Sequence, residues 1–223
     1  MTIEKDWNRQ HYYGRYNKYP FTEVVSFVMR AYGAVPDRSK VRILDLGCGG
    51  AHHLLFLAQE GFDYHGIDGA SESVEIARYR LSESGFKTDT LVCGTFGRTP
   101  YPDDFFDCVI DRGSLVCNRL SDLPALIAEM RRILKPGGRF FSMILNEAST
   151  AKERVTSLGD NDYTDFQGRL KGAGVLHFTN AAEARRLFSA FNIEDIELIL
   201  RKSEYSPSGN KDITAWTVIT CSK

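Results

Sequence analysis

The chain has 223 residues, 43% of them hydrophobic and 26% charged, with 28 Lys plus Arg against 29 Asp plus Glu for a net charge of −1. These proportions exclude a disordered chain, and a domain of this size buries roughly 70% of the surface its unfolded form exposes, so it needs no disulfide or structural metal to hold a core. The near-neutral balance gives no electrostatic footprint for a nucleic acid or an anionic membrane and points to a small or neutral partner.

The first ten residues (MTIEKDWNRQ) hold no apolar signal core, and no run approaches the ~20 apolar residues of a membrane span. Five cysteines, an odd number without a CxxC pair, fit a reduced, cytoplasmic protein. An aromatic arm comes next, with Trp7, Tyr12, Tyr13, Tyr16 and Tyr19 set between Arg9, His11, Arg15 and Lys18. Val24, Phe27, Val28 and Ala31 then mark a helix that stops before Pro36. We divide the chain into this arm and helix (1–36) and a main domain (37–223).

Within the main domain, apolar runs of strand length alternate with segments of helical period. Strands are predicted at 41–46, 64–67, 90–93, 106–110 and 139–145. The intervening helices carry Leu54, Leu57 and Ala58, then Val74, Ala77 and Leu81 with Ser71 or Ser73 as cap, then Leu126, Met130, Ile133 and Leu134. The last of these stops at Lys135-Pro136-Gly137-Gly138. Such alternation predicts an α/β fold built on a mostly parallel sheet. Residues 146–176 are polar and glycine-spotted and are expected to form a loop or short-helix insertion over one end of the sheet. Ala184, Leu187, Phe188 and Phe191 mark one more helix, with Thr179 or Asn180 as cap. The β-rich runs 193–200 and 213–221, separated by a turn at 206–210, close the chain as a hairpin.

The sharpest chemical signal is Ile43-Leu44-Asp45-Leu46-Gly47-Cys48-Gly49-Gly50, a strand running into glycines and then a helix, with Asp68 ending the second strand. This layout puts a ligand over the carboxyl end of the first strand. Glycines let the backbone approach it, and an acid at the second strand's end can accept hydrogen bonds from both ribose hydroxyls. The bland reading is a chain turn and a helix cap. A dinucleotide fingerprint wants a third glycine where His52 stands, so NAD is disfavoured.

With these residues the sequence resembles the class I S-adenosylmethionine-dependent methyltransferases. Residues 43–49 match the first motif and Asp68 the acid after strand two. Tyr101-Pro102-Asp103-Asp104-Phe105-Phe106-Asp107 leads into strand four, and Leu134-Lys135-Pro136-Gly137-Gly138-Arg139 precedes strand five. The resemblance covers about residues 40–145. It implies a Rossmann-like, doubly wound, mostly parallel seven-stranded sheet whose last strand is antiparallel, in agreement with the terminal hairpin. It also implies S-adenosyl-L-methionine as cofactor and S-adenosyl-L-homocysteine as product.

Carried over position by position, the resemblance puts Asp45 and Gly47 near the methionine amine and carboxylate, with Cys48 and Gly49 in the same turn. Asp68 holds the ribose, and Gly69 and Ala70 flank the adenine. Where the family often has Gly-Asp-Ala after strand three, this chain has Gly94-Thr95-Phe96. Thr95 can accept one hydrogen bond without bringing charge, and Phe96 either stacks on the adenine or fills core. Asp111 and Arg112 are the expected contacts to the methionine moiety. Ala51 replaces a third glycine that many members carry.

In-line transfer from a sulfonium needs alignment and desolvation, and a base only when the acceptor arrives protonated. His177 is the first candidate base, against a structural reading of the same residue. His52 or His53 either touches the ligand or packs. No metal-ligand spacing is present, so no metal is expected. Trp7, Tyr12, Tyr13 and Tyr16 are candidate acceptor contacts, because aromatic faces attract a sulfonium as they attract ammonium. In related methyltransferases this end often forms a lid. An arm packed on the sheet and a stacking surface for single-stranded nucleic acid are the other readings. Against the last, residues 111–114 lack the Pro-Pro-aromatic signature of many nucleic-acid amino methyltransferases.

The expectation is therefore a methyltransferase for a small polar metabolite, by O-methylation of a sugar or hydroxylated molecule, with no membrane partner. A non-catalytic cofactor-binding protein of the same fold and an RNA methyltransferase are the alternatives.

Overall fold

A computed structural model describes residues 17–153, 155–167, 170–205 and 212–223, so Trp7, Tyr12, Tyr13 and Tyr16 lie outside the described residues. Five parallel strands form the centre: β1 (Arg42–Leu46), β2 (Asp63–Asp68), β3 (Leu91–Cys93), β4 (Phe106–Arg112) and β5 (Leu134–Leu145). Ile43, Leu44 and Leu46 of β1 are all fully buried, as a strand covered on both faces requires.

The helices are α1 (Thr22–Tyr32), α2 (His52–Gln59), α3 (Ser71–Glu83), α4 (Leu123–Ile133) and α5 (Ala181–Leu187). The first three pack Val24, Phe27, Leu54, Leu57, Val74 and Leu81 on one face of the sheet, against Ile43, Cys108, Ile110 and Phe141. The other two bring Ile127, Met130, Ala184 and Leu187 to the opposite face, against Leu44, Val109 and Phe140. The sheet is thus doubly wound.

Between β5 and α5 lies a small antiparallel sheet of β6 (Thr156–Gly159), β7 (Asp162–Thr164) and β8 (Leu176–His177). After α5 the chain adds β9 (Asn192–Lys202) and β10 (Ile213–Ser222). The main sheet runs β3-β2-β1-β4-β5-β10-β9, with β10 antiparallel to both β5 and β9. The seven-stranded sheet with its terminal antiparallel hairpin is as the sequence predicts. The strand order reverses between β1 and β4, which places the ligand crevice at their carboxyl ends.

The path of α1 decides what reaches that crevice. Tyr32, its last residue, donates to the Asp107 carbonyl near the amino end of β4, at 2.8 Å. Phe21, just before its first turn, lies 3.7 Å from the Arg112 guanidinium at the carboxyl end of β4. Residues 17–21 are therefore delivered to the ligand end of the sheet.

Three expectations need correction. Ser71 and Ser73 do not cap α3: Ala70 is the N-cap residue and makes no side-chain bond, and Asp68 accepts the Ala70 N–H instead. Residues 135–138 do not stand outside the strand but form an irregularity within β5, where Phe106 faces Leu134 and Cys108 already faces Arg139. The insertion is built on strands, not a loop or short helices alone. Its hairpin turns at Asp160 and Asn161, with φ of 51° and 58°, a pair of left-handed residues that Asp and Asn tolerate. The strands are short, and β6 is exposed throughout, so no apolar alternation betrays them. Of the two caps proposed for α5, Asn180 is the one used, accepting the Glu183 N–H at 3.0 Å.

Among the described residues, no helix is long and apolar enough to cross a membrane.

Candidate active site

The glycine loop leaves β1 with Gly47 at φ +70°, Gly49 at +49° and Ala51 at +64°. The Gly47 and Cys48 N–H groups both donate to the Ile67 carbonyl, at 2.8 and 3.1 Å, so the loop is stitched to the end of β2. A Cβ on Gly47 would stand 1.9 Å from Ser114 Oγ, in the loop after β4. Only glycine fits there. The Cys48 side chain turns inward and is fully buried, so its part in the loop is played by backbone, and burial pushes its thiol pKa up.

Asp68 sits at the centre of the arrangement. Its Oδ2 accepts the Gly49 N–H and its Oδ1 the Ala70 N–H, each at 2.9 Å, so one carboxylate ties the glycine loop to the β2–α3 turn. Gly69 lies in that turn with open space at its Cβ position, the nearest atom being Gly94 O at 3.9 Å. Ala70 is buried. Thr95 is exposed beyond β3, and Phe96 is half-buried, its ring edge 3.6 Å from the Gly47 Cβ position.

Asp45 is 1% exposed. Its Oδ1 lies 3.2 Å from His53 Nδ1, and its buried Oδ2 has no hydrogen-bond partner among the described residues. A buried carboxylate oxygen without a donor is costly, so this one is suited to a cationic group on a ligand. Asp45, Gly47, Gly49, Asp68 and Phe96 are thus brought together around the end of β1.

Asp111 and Arg112 depart from their expected role. Asp111 is fully buried, with Oδ1 accepting the Ser114 and Leu115 N–H groups at 2.8 and 3.1 Å and Oδ2 accepting Ser142 Oγ at 2.7 Å. It braces the turn that carries Ser114 against Gly47. Arg112 is stacked between the rings of Phe21 and Trp216, at 3.7 and 4.3 Å. Burial lowers its pKa to about 10.

Burial, with a smaller contribution from Asp45, pushes the Asp111 carboxyl up to about 6. Below about pH 4 the group is protonated whether the chain is folded or not. Between there and about pH 6 the unfolded chain releases the proton while the native chain keeps it, so stability falls as pH rises through that window. Asp111→Asn keeps one oxygen to accept the Ser114 and Leu115 N–H groups, and its amide nitrogen can donate to Ser142 Oγ where Oδ2 now accepts. It is expected to be more stable than wild type above pH 6 by about 1–3 kcal/mol, and the two to converge near pH 4. Urea midpoints measured from pH 4 to 7.5 check this; parallel curves would refute it.

His177 is not placed to act as a base. It is fully buried in β8, with Nδ1 at 2.8 Å from Asp162 Oδ1 and Nε2 at 2.8 Å from Glu183 Oε2, so neither ring nitrogen faces a substrate. Asp162 also accepts the Leu120 N–H, at 3.2 and 3.3 Å to its two oxygens. The histidine therefore joins the small sheet to α5, while its partner Asp162 holds the loop after β4. His177→Ala leaves two shielded carboxylates without it and is expected to cost about 3 kcal/mol or more in denaturant melts. Unchanged stability with a selective loss of turnover would restore its catalytic reading.

Beside this bracing lies a cleft of about 620 Å³, lined by Cys117, Asn118, Arg119, Asp122, Gln167 and Lys171 among others. Cys117 lines it, and burial, with smaller contributions from Asp111 and Asp68, pushes its thiol pKa up. A cavity of about 700 Å³ between α4 and α5 shares no residue with the glycine loop. Ser114 falls in the 111–114 run that the resemblance places beside the methionine moiety, whereas the sequence carries no signal for Phe21 and Trp216, which arrive from opposite ends of the chain.

A glycine loop bonded to the acid of the neighbouring strand, at the point where a parallel sheet reverses its order, defines a Rossmann-like nucleoside-cofactor protein. The chain belongs to the class I S-adenosylmethionine-dependent methyltransferase family, and the family model described as a methyltransferase domain matches residues 37–168. The chain is 28% identical over 153 residues to the uncharacterized methyltransferase YcgJ of Bacillus subtilis, covering 69% of this chain and 57% of that one. It is 33% identical over 140 residues to a ubiquinone biosynthesis O-methyltransferase of Xanthomonas oryzae pv. oryzae, covering 58% of each. The chain thus spans a little over half the length of these curated relatives. Among solved structures, the 1,6-didemethyltoxoflavin-N1-methyltransferase of Burkholderia thailandensis, with bound 1,6-didemethyltoxoflavin and S-adenosylhomocysteine, shares the fold. It matches with a TM-score of 0.73 at 15% identity, over 99% of this chain and 87% of that one.

Proposed function

We propose that the chain binds S-adenosylmethionine at the glycine loop and transfers its methyl group to a small polar acceptor, with a hydroxyl oxygen as nucleophile. The observation that carries this reading is the pairing of Asp68, bonded to the Gly49 and Ala70 N–H groups, with the unpartnered Asp45 Oδ2. The residues suit the cofactor at both ends: Asp68 is a carboxylate at the end of β2 of the kind that accepts from ribose hydroxyls, and Asp45 offers a carboxylate to an ammonium. Phe96 gives an apolar ring edge beside the loop. The cofactor, when bound, supplies a methyl group on a sulfonium, already a good leaving group.

What the chain adds is alignment and exclusion of water. The cleft beside Cys117 presents amide and charged groups of both signs, a lining that suits a hydroxylated acceptor. The ubiquinone biosynthesis O-methyltransferases among the relatives support oxygen as the acceptor atom. With His177 enclosed, none of the candidate residues takes the hydroxyl proton, so the reading fits a hydroxyl acidic enough to lose that proton to water and arrive as the anion, whose oxygen bonds the methyl as the sulfonium sulfur leaves as a thioether. The test is formation of S-adenosylhomocysteine from S-adenosylmethionine with panels of hydroxylated, amine and thiol acceptors. Turnover with the hydroxylated panel is expected. Cofactor binding with no turnover on any panel would favour a binding protein of the same fold.

A further inference from the structure

Arg80, on α3, lies outside every motif read from the sequence, yet it touches the glycine loop. Its Nη1 donates to the Gly50 carbonyl and, at 3.3 Å, to the Asn17 carbonyl, and its Nη2 donates to the Lys18 carbonyl at 2.9 Å. One guanidinium therefore gathers carbonyls from the cofactor loop and from the chain ahead of α1. The planar fork of arginine suits this task, since its donors diverge in fixed directions, whereas a lysine ammonium is a single point.

The same stretch of chain touches the loop's far side. The Phe21 ring lies 5.5 Å from that of His52 and 5.8 Å from that of His53, the first two residues of α2, and on Arg112. His53 in turn contacts Asp45. Residues 17–21 thus span the loop from the Arg80 carbonyl contacts to the acid expected to meet the ligand. Between the two anchor points stands Ala51 at φ +64°, a conformation that costs a non-glycine residue about 1 kcal/mol and must be held by its surroundings. The Ala51 N–H donates to the Cys48 carbonyl and the Ala51 carbonyl accepts the Leu55 N–H, and the Arg80 bond to the preceding carbonyl adds a hold from outside the loop.

We propose that Arg80 is a positioning residue for the cofactor loop, latching residues 17–18 to Gly50 so that docking of residues 17–21 and binding at the glycine loop strengthen each other. This rests on the cofactor reading above. Linkage makes the coupling reciprocal: whatever factor the docked segment adds to cofactor affinity, the cofactor adds to docking. A group that only stabilised α3 would show no such reciprocity.

The test uses the full chain and S-adenosylhomocysteine as probe, with two readouts. Calorimetry gives its affinity, and the rate of tryptic cleavage after Lys18 gives docking, because the scissile bond follows the carbonyl that Arg80 holds and Tyr19 is 80% exposed. In the wild type the ligand is expected to slow this cleavage about tenfold, and Arg80→Ala to weaken ligand binding about tenfold while abolishing the slowing, within the usual range of coupling. Arg80→Lys keeps the charge and should recover only part of both effects; it decides the matter if the alanine variant does not fold. Unchanged affinity in the variants, or weaker binding with the slowing intact, would overturn the latch alone. Failure of the wild type to bind the ligand would overturn the latch together with the cofactor reading.

Discussion

Gly47→Ala is expected to bring S-adenosylhomocysteine binding below detection and to destabilise the fold by about 2–4 kcal/mol, combining left-handed backbone strain with overpacking. Two separate obstacles produce this. The backbone stands at φ +70°, where an L side chain is strained, and the new Cβ would fall 1.9 Å from Ser114 Oγ and 2.5 Å from Ser114 Cβ. Asp111 and Ser142 hold the Ser114 turn in place, so it has little room to give. Adding Ser114→Gly to Gly47→Ala removes the collision but not the strain, and should return part of the stability. Full binding by the single variant would show that the loop does not approach a ligand as its geometry implies.

Asp68→Ala is the second large effect. It removes the acceptor for two backbone N–H groups, at Gly49 and Ala70, along with the group expected to hold the ribose. Losing a charged hydrogen-bond partner is expected to weaken S-adenosylhomocysteine binding by about 1–3 kcal/mol, or roughly fivefold to 150-fold. Asp68→Asn should do little better. An amide offers one oxygen, while both carboxylate oxygens accept here, so one N–H would face the amide nitrogen. Titration of the two variants beside wild type checks this, and unchanged affinity would remove Asp68 from the site.

The parallel core was legible because its signals are local. Each central strand is a short apolar run bounded by turn residues, and each helix repeats its apolar face within a dozen positions. Gly47, Gly49 and Asp68 were legible for the same reason, since strand ends and glycines announce where backbone must turn and approach a ligand. Asp111, Arg112 and His177 were misread because each carries chemistry at a plausible position, while its partners come from distant segments. Ser142 is on the neighbouring strand, Phe21 and Trp216 come from opposite ends of the chain, and Asp162 and Glu183 sit on separate elements around His177. Burial of a charged side chain is a property of that assembly, and no local pattern records it. Arg80 escaped notice for a related reason: its partners are backbone carbonyls, which have no sequence signature.

The central claim is that the end of β1 and Asp68 form a site for an adenosyl cofactor. Calorimetric titration of the purified chain with S-adenosylmethionine, S-adenosylhomocysteine and NADH, side by side, tests it most directly. Saturable binding of the two adenosyl ligands and none of NADH is expected. Binding of NADH in their place, or of none of the three, would contradict the claim.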